Sequence, residues 1–583
     1  MYLTTSFSYV VRAAFVSVVL GRTVRSVIAA HAYDFPTVRV PSADNFVLND
    51  LTGQPPQTRY YEFVVEQLWG APDGVVKPML VVNGMFPGPT IEANQHDRLV
   101  VKVINRIANA TTIHWHGIPQ NGTAYYDGTA GVTECGIPPG ESLTYNFTFG
   151  AFSGSTWWQS VLRHSLDFQE LITDDTQYTD GITGALIVHP TAPNPPGLPT
   201  WDEELVVQLT DVYHTFSTVL NEQYLSPQGP VGGEAGDEPV PDSGALNGLG
   251  QYHGLGSYFN FNLKPNKSYR LRLIHTGSLA DIRFSVDHHP LTVIEADGTL
   301  TAPTVVSGVT LAVAQRYSVL LTTNQMGGAY WMRTLQQVDM FTYTLPGQNP
   351  DVRGIIRYGT NDETSVPPAM HDPGAQLHGK NLTDLDSYTL PPAVLTEVPD
   401  NTKFYRVSFE FDNLPSGASL AYMNGTSWTP PNGTNNLLEL QKAYKAGGAF
   451  APEGSSVEFG NQFFVTEDAT EVVDLLLENN DDGDHPFHLH GYRPWIVGVG
   501  SSTYTPANAT LNTVNPLARD TVEIPANGWV VLRFVTDNPG VWTLHCHIAW
   551  HMSAGLLMQF VTLPSIAARL DIPQEMVRMC GAA

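Results

Sequence analysis

Eight histidines of this 583-residue chain fall in three tight clusters: His114-Trp115-His116, His485-Pro486-Phe487-His488-Leu489-His490, and His545-Cys546-His547 followed by His551. In an extended strand, residues i and i+2 project to one face, so each His-x-His unit aims two imidazoles the same way. Two such strands facing each other can enclose a metal cluster. Cys546 points to the face opposite its flanking histidines, and one strand can therefore serve two metal sites. The sulfur side would take Cys546, His551 and His485, one thiolate and two imidazoles, which is the trigonal set of a blue copper electron-transfer centre. A soft thiolate selects copper. Zinc is the alternative metal, but a structural zinc site usually draws four ligands from one local cluster, whereas these come from opposite ends of the chain. A lone histidine is ordinarily a surface or core residue; eight at ligand spacing around a strand-borne cysteine are metal ligands.

Two internal repeats indicate the elements that must hold these side chains. Asn105 of "LVVKVINR" lies nine residues before His114, and Asn479 of "EVVDLLLENN" lies nine before His488. In "GVWTLHCH", His545 and His547 stand five and seven residues after Gly540; in "GSTWWQSV" the same steps from Gly154 reach Gln159 and Val161. The repeat predicts histidines where the chain has a glutamine and a valine.

The positioning elements should be strands. With 51 glycines, 43 prolines, many Val/Thr/Tyr/Phe runs and no long helical periodicity, the chain reads as mostly β with short strands and many turns. Its length suggests about three domains, and the Pro-rich breaks His189–Trp201 and Ser365–Gly379 place them near 33–190, 191–365 and 366–583. A net charge of −27 disfavours nucleic acid and anionic membranes and suits a small neutral or cationic substrate. Residues 1–32 resemble a secretory signal, with Arg12, the apolar run Ala13–Leu20 and a small-residue site at Ala30-His31-Ala32. That apolar run is too short to span a bilayer. Eight Asn-x-Ser/Thr sequons, at Asn109, Asn121, Asn146, Asn266, Asn381, Asn424, Asn432 and Asn508, also fit an extracellular glycoprotein. Three cysteines, Cys135, Cys546 and Cys580, suggest one disulfide and one thiol with another task.

The segments Val82–Asn94, Ile113–Gly140, "HPFHLHGY" and "HCHIAWHMSAGL" resemble the fungal multicopper oxidases, and among them the ascomycete laccases. The resemblance covers nearly the whole chain after residue 32. It implies three cupredoxin-like Greek-key β-sandwiches and four coppers per chain. By resemblance His485, Cys546 and His551 hold type 1 copper, and His114 with His488 hold type 2. His116 with His547, and His490 with His545, each bind one of the type 3 pair. It also implies a disulfide between Cys135 and Cys580, tying the first domain to the C-terminal segment. A His-Ser-His should complete the type 3 ligands, but Gln159-Ser160-Val161 stands in its place, and extra residues precede "TQYTDGITGALIV", where the family pattern resumes. Either intron-derived residues at an exon boundary replace the motif, or the protein has lost two ligands. His164, within the extra residues, is a candidate substitute ligand or a solvated surface residue.

The family reaction takes single electrons from a phenolic substrate at type 1 copper, passes them through Cys546 to His545 and His547, and reduces dioxygen to water. Leu556 falls at the axial position, where a non-coordinating group raises the potential; it also reads as a core residue. Asp211 stands where the family keeps a substrate-facing carboxylate able to accept a phenol proton, and it reads equally as a loop-capping Asp. Asp127 matches an acid beside type 2 copper that helps deliver protons to oxygen. A ferroxidase is the second reading, weakened by Asp rather than Glu at 211 and by Ala549 in "HCHIAWH". A catalytically impaired copper protein is the third. The chain is expected to be a monomer.

Overall fold

The computed structural model describes residues 37–161, 176–360, 364, 366–367, 380–414, 418–448, 450 and 461–581. The signal-like residues 1–32 and His164 lie outside the described residues. The protein is mostly β, with a few short helices. Two four-stranded sheets draw their strands from between Thr58 and His189, and two five-stranded sheets from between Lys403 and Thr562. Between them come two six-stranded sheets, one of which takes its last strand from Asn381–Leu382, parallel to Gly308–Leu311. Strand orders are crossed in every one of these sheets.

Alternation explains the outer strands. In Arg98–Asn105 the side chains of Leu99, Val101, Val103 and Asn105 are buried while Arg98 and Lys102 face out, the period-2 pattern of a sheet with one wet face. Strands that are buried along most of their length, such as Gly540–Cys546, carry most of the clustered histidines and Cys546.

The first repeat has a structural cause. Asn105 accepts the N–H of Ile107 and donates to the carbonyls of Asn109 and Ile137. Asn479 accepts the N–H of Asp481 and donates to those of Gly483 and Pro525. Each buried amide ties off the turn that carries the chain from a strand to the next His-x-His, satisfying backbone groups that burial would otherwise orphan. The second repeat is a matter of register. His488 pairs with His545 across the strands His485–Leu489 and Gly540–Cys546, and His114 pairs with Gln159 across His114–Trp115 and Gly154–Gln159. Where one end of the protein pairs histidine with histidine, the other pairs histidine with glutamine.

Cys135 and Cys580 form the expected disulfide, with Cα atoms 5.0 Å apart across 445 residues of sequence. Beneath it, Leu437, Leu440, Ile572, Met576 and Met579 share one apolar cluster with Ile113, Val132 and Ile137. Cys580→Ser is expected to lower stability by about 2–4 kcal/mol, read as a fall in denaturant midpoint. An unchanged midpoint would show that the apolar contacts alone hold the segment.

Candidate metal centres

Strand His485–Leu489 lies between Thr521–Ile524 and Gly540–Cys546, with Phe487 opposite Cys546. His551 comes from the short helix Ala549–Ser553. These elements bring His485 Nδ1 and His551 Nδ1 to 3.1 Å of each other, with Cys546 Sγ 3.8 and 3.5 Å away respectively. All three residues are buried. The outer nitrogens are held in place: His485 Nε2–H donates to Asp481 Oδ2 at 3.0 Å and His551 Nε2–H to Glu238 Oε1 at 2.9 Å. Both bonds turn Nδ1, the nitrogen that would carry the lone pair for a metal, toward the sulfur. Burial pushes the Cys546 thiol up, but His551 and His485 outweigh it and bring it down to about 7. A readily formed thiolate suits a metal ligand. Phe411, half-buried, lies against both imidazoles, its ring centroid 4.7 Å from that of His551. Leu556 is fully buried in the same apolar cluster as Cys546.

Six further imidazoles converge behind this site. His114 Nδ1–H donates to the carbonyl of Asp127 at 2.7 Å, His490 Nδ1–H to its carboxylate at 2.9 Å, and His488 Nδ1–H to the carbonyl of Asp520 at 2.9 Å. His116 Nε2–H donates to Asp520 Oδ1 at 3.1 Å, and His545 Nδ1–H to the carbonyl of Cys546 at 2.9 Å. Each bond fixes a tautomer and leaves the opposite nitrogen bare. His114 Nε2, His116 Nδ1 and His488 Nε2 are buried without any partner, and donor atoms of these three residues lie within 4.8 Å of one another. His490 Nε2 and His545 Nε2 face each other at 3.1 Å. Burial, aided by neighbouring like groups, pushes His116, His488 and His545 far below the ordinary histidine range and His547 down to about 3. Shifts in that direction favour the neutral ring, the form that can hold a metal. His114, Asp127 and His490 also converge, but the carboxylate accepts the N–H of His490, so Asp127 orients the ring. Burial would raise Asp127, yet His490 and His114 hold it well below the carboxylate range.

The gap in the repeat lies inside this cluster. Gln159 is buried, with its amide 3.2 Å from His547 Nε2. Ser160 turns away to Thr111 and Gln177, and the backbone of buried Val161 is held through both N–H and C=O by the Thr112 hydroxyl. Asp211 is buried and accepts the backbone N–H groups of Ser278, Leu279 and Ala280. Burial pushes its carboxyl up to about 6. The turn it holds supports the helix of His551, because the Ser278 carbonyl accepts the N–H of Ala549.

Family models described as multicopper oxidase match residues 64–193, 203–361 and 429–565. The chain belongs to the multicopper oxidase family. Laccase-1 of Cryptococcus neoformans var. neoformans serotype D is 33% identical over 92% of this chain and 85% of its own. The iron transport multicopper oxidase fio1 of Schizosaccharomyces pombe is 31% identical over 90% of this chain and 79% of its own. Among solved structures, Fet3p, a multicopper oxidase that functions in iron import, superposes with a TM-score of 0.77 at 26% identity, covering 90% of this chain and 95% of its own. The laccase from Botrytis aclada gives 0.75 at 27%, covering 94% and 96%. The fold is accordingly the cupredoxin-like one of multicopper oxidases, a family that binds copper.

In this multicopper oxidase, sequence reading missed four side chains around the imidazoles. Asp520 takes a bidentate hold from Arg316, with both bonds 2.6 Å, while Arg316 Nε donates to the carbonyl of Ser155. Both side chains are buried, and they join all three thirds of the chain beside His116. Gly117 has φ +71°, and a Cβ there would lie 2.6 Å from Asp520 Oδ2, so the residue after His-Trp-His must be glycine. Asp481 is the one with a local signal, lying four residues ahead of His485. Glu238 lies in the acidic loop "GGEAGDEPV", and Arg316 in "AQRYS", with no spacing that points to a ligand.

Proposed function

We propose that this multicopper oxidase couples one-electron oxidation of phenolic substrates to four-electron reduction of dioxygen, with the type 1 centre at His485, Cys546 and His551. His114 and His488 are the type 2 ligands, and the pairs His116/His547 and His490/His545 serve the type 3 ions. Bound copper supplies the one-electron redox chemistry and the reduction of oxygen; the chain supplies the rest. The three domains of the reading are 33–190, 191–365 and 366–583. The observation that carries the laccase-like reading is the mouth of the thiolate site, where Phe411 offers an aromatic face beside His551 and Glu238 holds the outer nitrogen of that ring. A phenol that yields an electron must also release a proton, and Glu238 is the carboxylate placed to accept it. Asp127, bonded to His114 and His490, stands beside the oxygen-reducing cluster and helps deliver protons to oxygen. Secretion as a monomeric glycoprotein accompanies this reading, and Asn109, Asn121, Asn266, Asn424, Asn432 and Asn508 are exposed as attached glycans require.

A second reading, ferroxidase, is favoured by one feature: Asp481 and Glu238 flank the thiolate site, each bonded to one of its histidines, a charge pair suited to a ferrous ion. Oxygen consumption with a phenol and then with ferrous iron decides between them. The phenol is expected to give the higher kcat/KM, and Glu238→Gln to lower it by about 100-fold. A higher kcat/KM for ferrous iron, lost in Glu238→Gln and Asp481→Asn alike, would assign the protein to iron. A blue protein that consumes oxygen with neither, and gains activity on Gln159→His with Val161→His and removal of the residues between Val161 and Thr176, would be the impaired copper protein.

A further inference from the structure

We propose that Gln159 is itself a metal ligand, giving an amide oxygen to the ion held by His116 and His547, so that this site is served by two nitrogens and one oxygen. The inference rests on the copper-oxidase reading above. Its first support is position. Gln159 is paired with His114 as His545 is paired with His488, so the backbone delivers its side chain to the cluster as it would deliver an imidazole.

The second support is spacing. Two donors each about 2.05 Å from one ion at a tetrahedral angle stand about 3.3 Å apart. In this protein two ring nitrogens converge at 3.1 Å in the His485/His551 pair, beside the Cys546 sulfur, and at 3.1 Å in the His490/His545 pair. Gln159 Nε2 lies 3.2 Å from His547 Nε2, the same separation, and a half-turn of the amide puts Oε1 in that place.

The third support is the set of unsatisfied atoms. Every other imidazole of the two centres donates one N–H to an oxygen of another residue; His547 does not, its ring reaching no oxygen but that of its own backbone and its Nε2 meeting only Gln159. Gln159 Oε1 and His116 Nδ1 are also buried without partners, and the rings of His116 and His547 are 5.2 Å apart. A buried amide oxygen left unpaired costs about 1–3 kcal/mol. A half-turn of the amide exchanges its oxygen and nitrogen without moving any neighbour and presents Oε1 beside His547 Nε2, where an ion would satisfy it. Amide oxygens do serve as weak ligands of copper. Val161 offers no donor, so the two type 3 positions are unequal: the His116/His547 ion regains its third ligand and the His490/His545 ion does not.

The test is copper per chain, counted by mass spectrometry after loading and dialysis, with affinity from chelator competition. Gln159→Leu, which keeps the volume and removes the donor, is expected to hold one copper fewer per chain. Gln159→Glu, which keeps the oxygen and loses the N–H, is expected to retain the full number and bind at least 10-fold tighter than Gln159→Leu. If Gln159 merely donates a hydrogen bond to His547, Glu and Leu variants lose copper alike, and that result overturns the proposal. So does a Leu variant that matches the unaltered protein. Near-ultraviolet circular dichroism of the copper-free forms identifies a variant that has not folded, and Gln159→His then takes its place, expected to hold at least as many ions as the unaltered protein. An unaltered protein with no blue copper would instead defeat the copper-oxidase reading itself.

Discussion

Replacing Cys546 with serine is expected to remove the visible charge-transfer band of the copper-loaded protein, to release one copper ion per chain and to reduce oxygen consumption to the level of the copper-free form. The effect is that large because the sulfur does two jobs. It is the one soft donor in a set whose other members are His485 and His551, and softness is what selects copper there. It also sits between His545 and His547 in sequence, so a single strand joins the substrate side to the oxygen side. A hydroxyl is close in size but forms no comparable anion at neutral pH, and two imidazoles alone bind weakly. The copper-free variant should keep its fold, since Cys546 makes no disulfide, so its melting curve without metal controls for misfolding. A serine variant that stays blue would move the centre elsewhere.

Asp520→Ala is the second large loss, and it acts on stability and metal together. Burial alone would raise Asp520, yet Arg316 holds it well below the carboxylate range. Removing it takes away the bidentate partner of Arg316 and leaves Asp297 Oδ1, 3.4 Å from Nη1, as the remaining carboxylate, so the cost lies below the roughly 3–5 kcal/mol of a buried charge left wholly unpaired. It also removes the acceptor that fixes the tautomer of His116, a change that typically lowers metal affinity about 10–100-fold. Denaturant unfolding of the copper-free form reads the first effect, and chelator competition on the loaded form reads the second. Asp520→Asn, which keeps an oxygen toward His116, should lie between. If the alanine variant unfolds at the same midpoint, Asp297 alone suffices for Arg316 and the Arg316–Asp520 pair adds no stability.

Much of this was legible because ligand chemistry leaves short-range marks. His-x-His in a strand, a cysteine on the opposite face and a histidine five residues on are local patterns, and the thiolate site they announce is geometrically present. The asparagines at 105 and 479 were visible as a repeat, although their task of tying off a turn was not. What escaped were groups whose partners are far away in sequence. Asp520 meets Arg316 across 204 residues and His116 across 404, and Glu238 meets His551 across 313; no period or spacing encodes such pairs. Asp211 shows the converse. Its place in the sequence suggested a carboxylate facing substrate, whereas its environment is set by three backbone N–H groups that only the folded loop at 278–280 supplies.

The alignment of Gln159 with His547, 388 residues later, also bears on biosynthesis. Chains are made from the N-terminus and domains fold as they emerge. The N-terminal third of the chain is therefore made while it still holds half a cluster: two histidines and an amide with nothing yet to meet them. Copper cannot be captured in final form until the strand Gly540–Cys546 has been threaded into its sheet. Metal loading in this protein is thus a report on finished folding, and a chain stalled before that strand would be made, folded in part and left colourless.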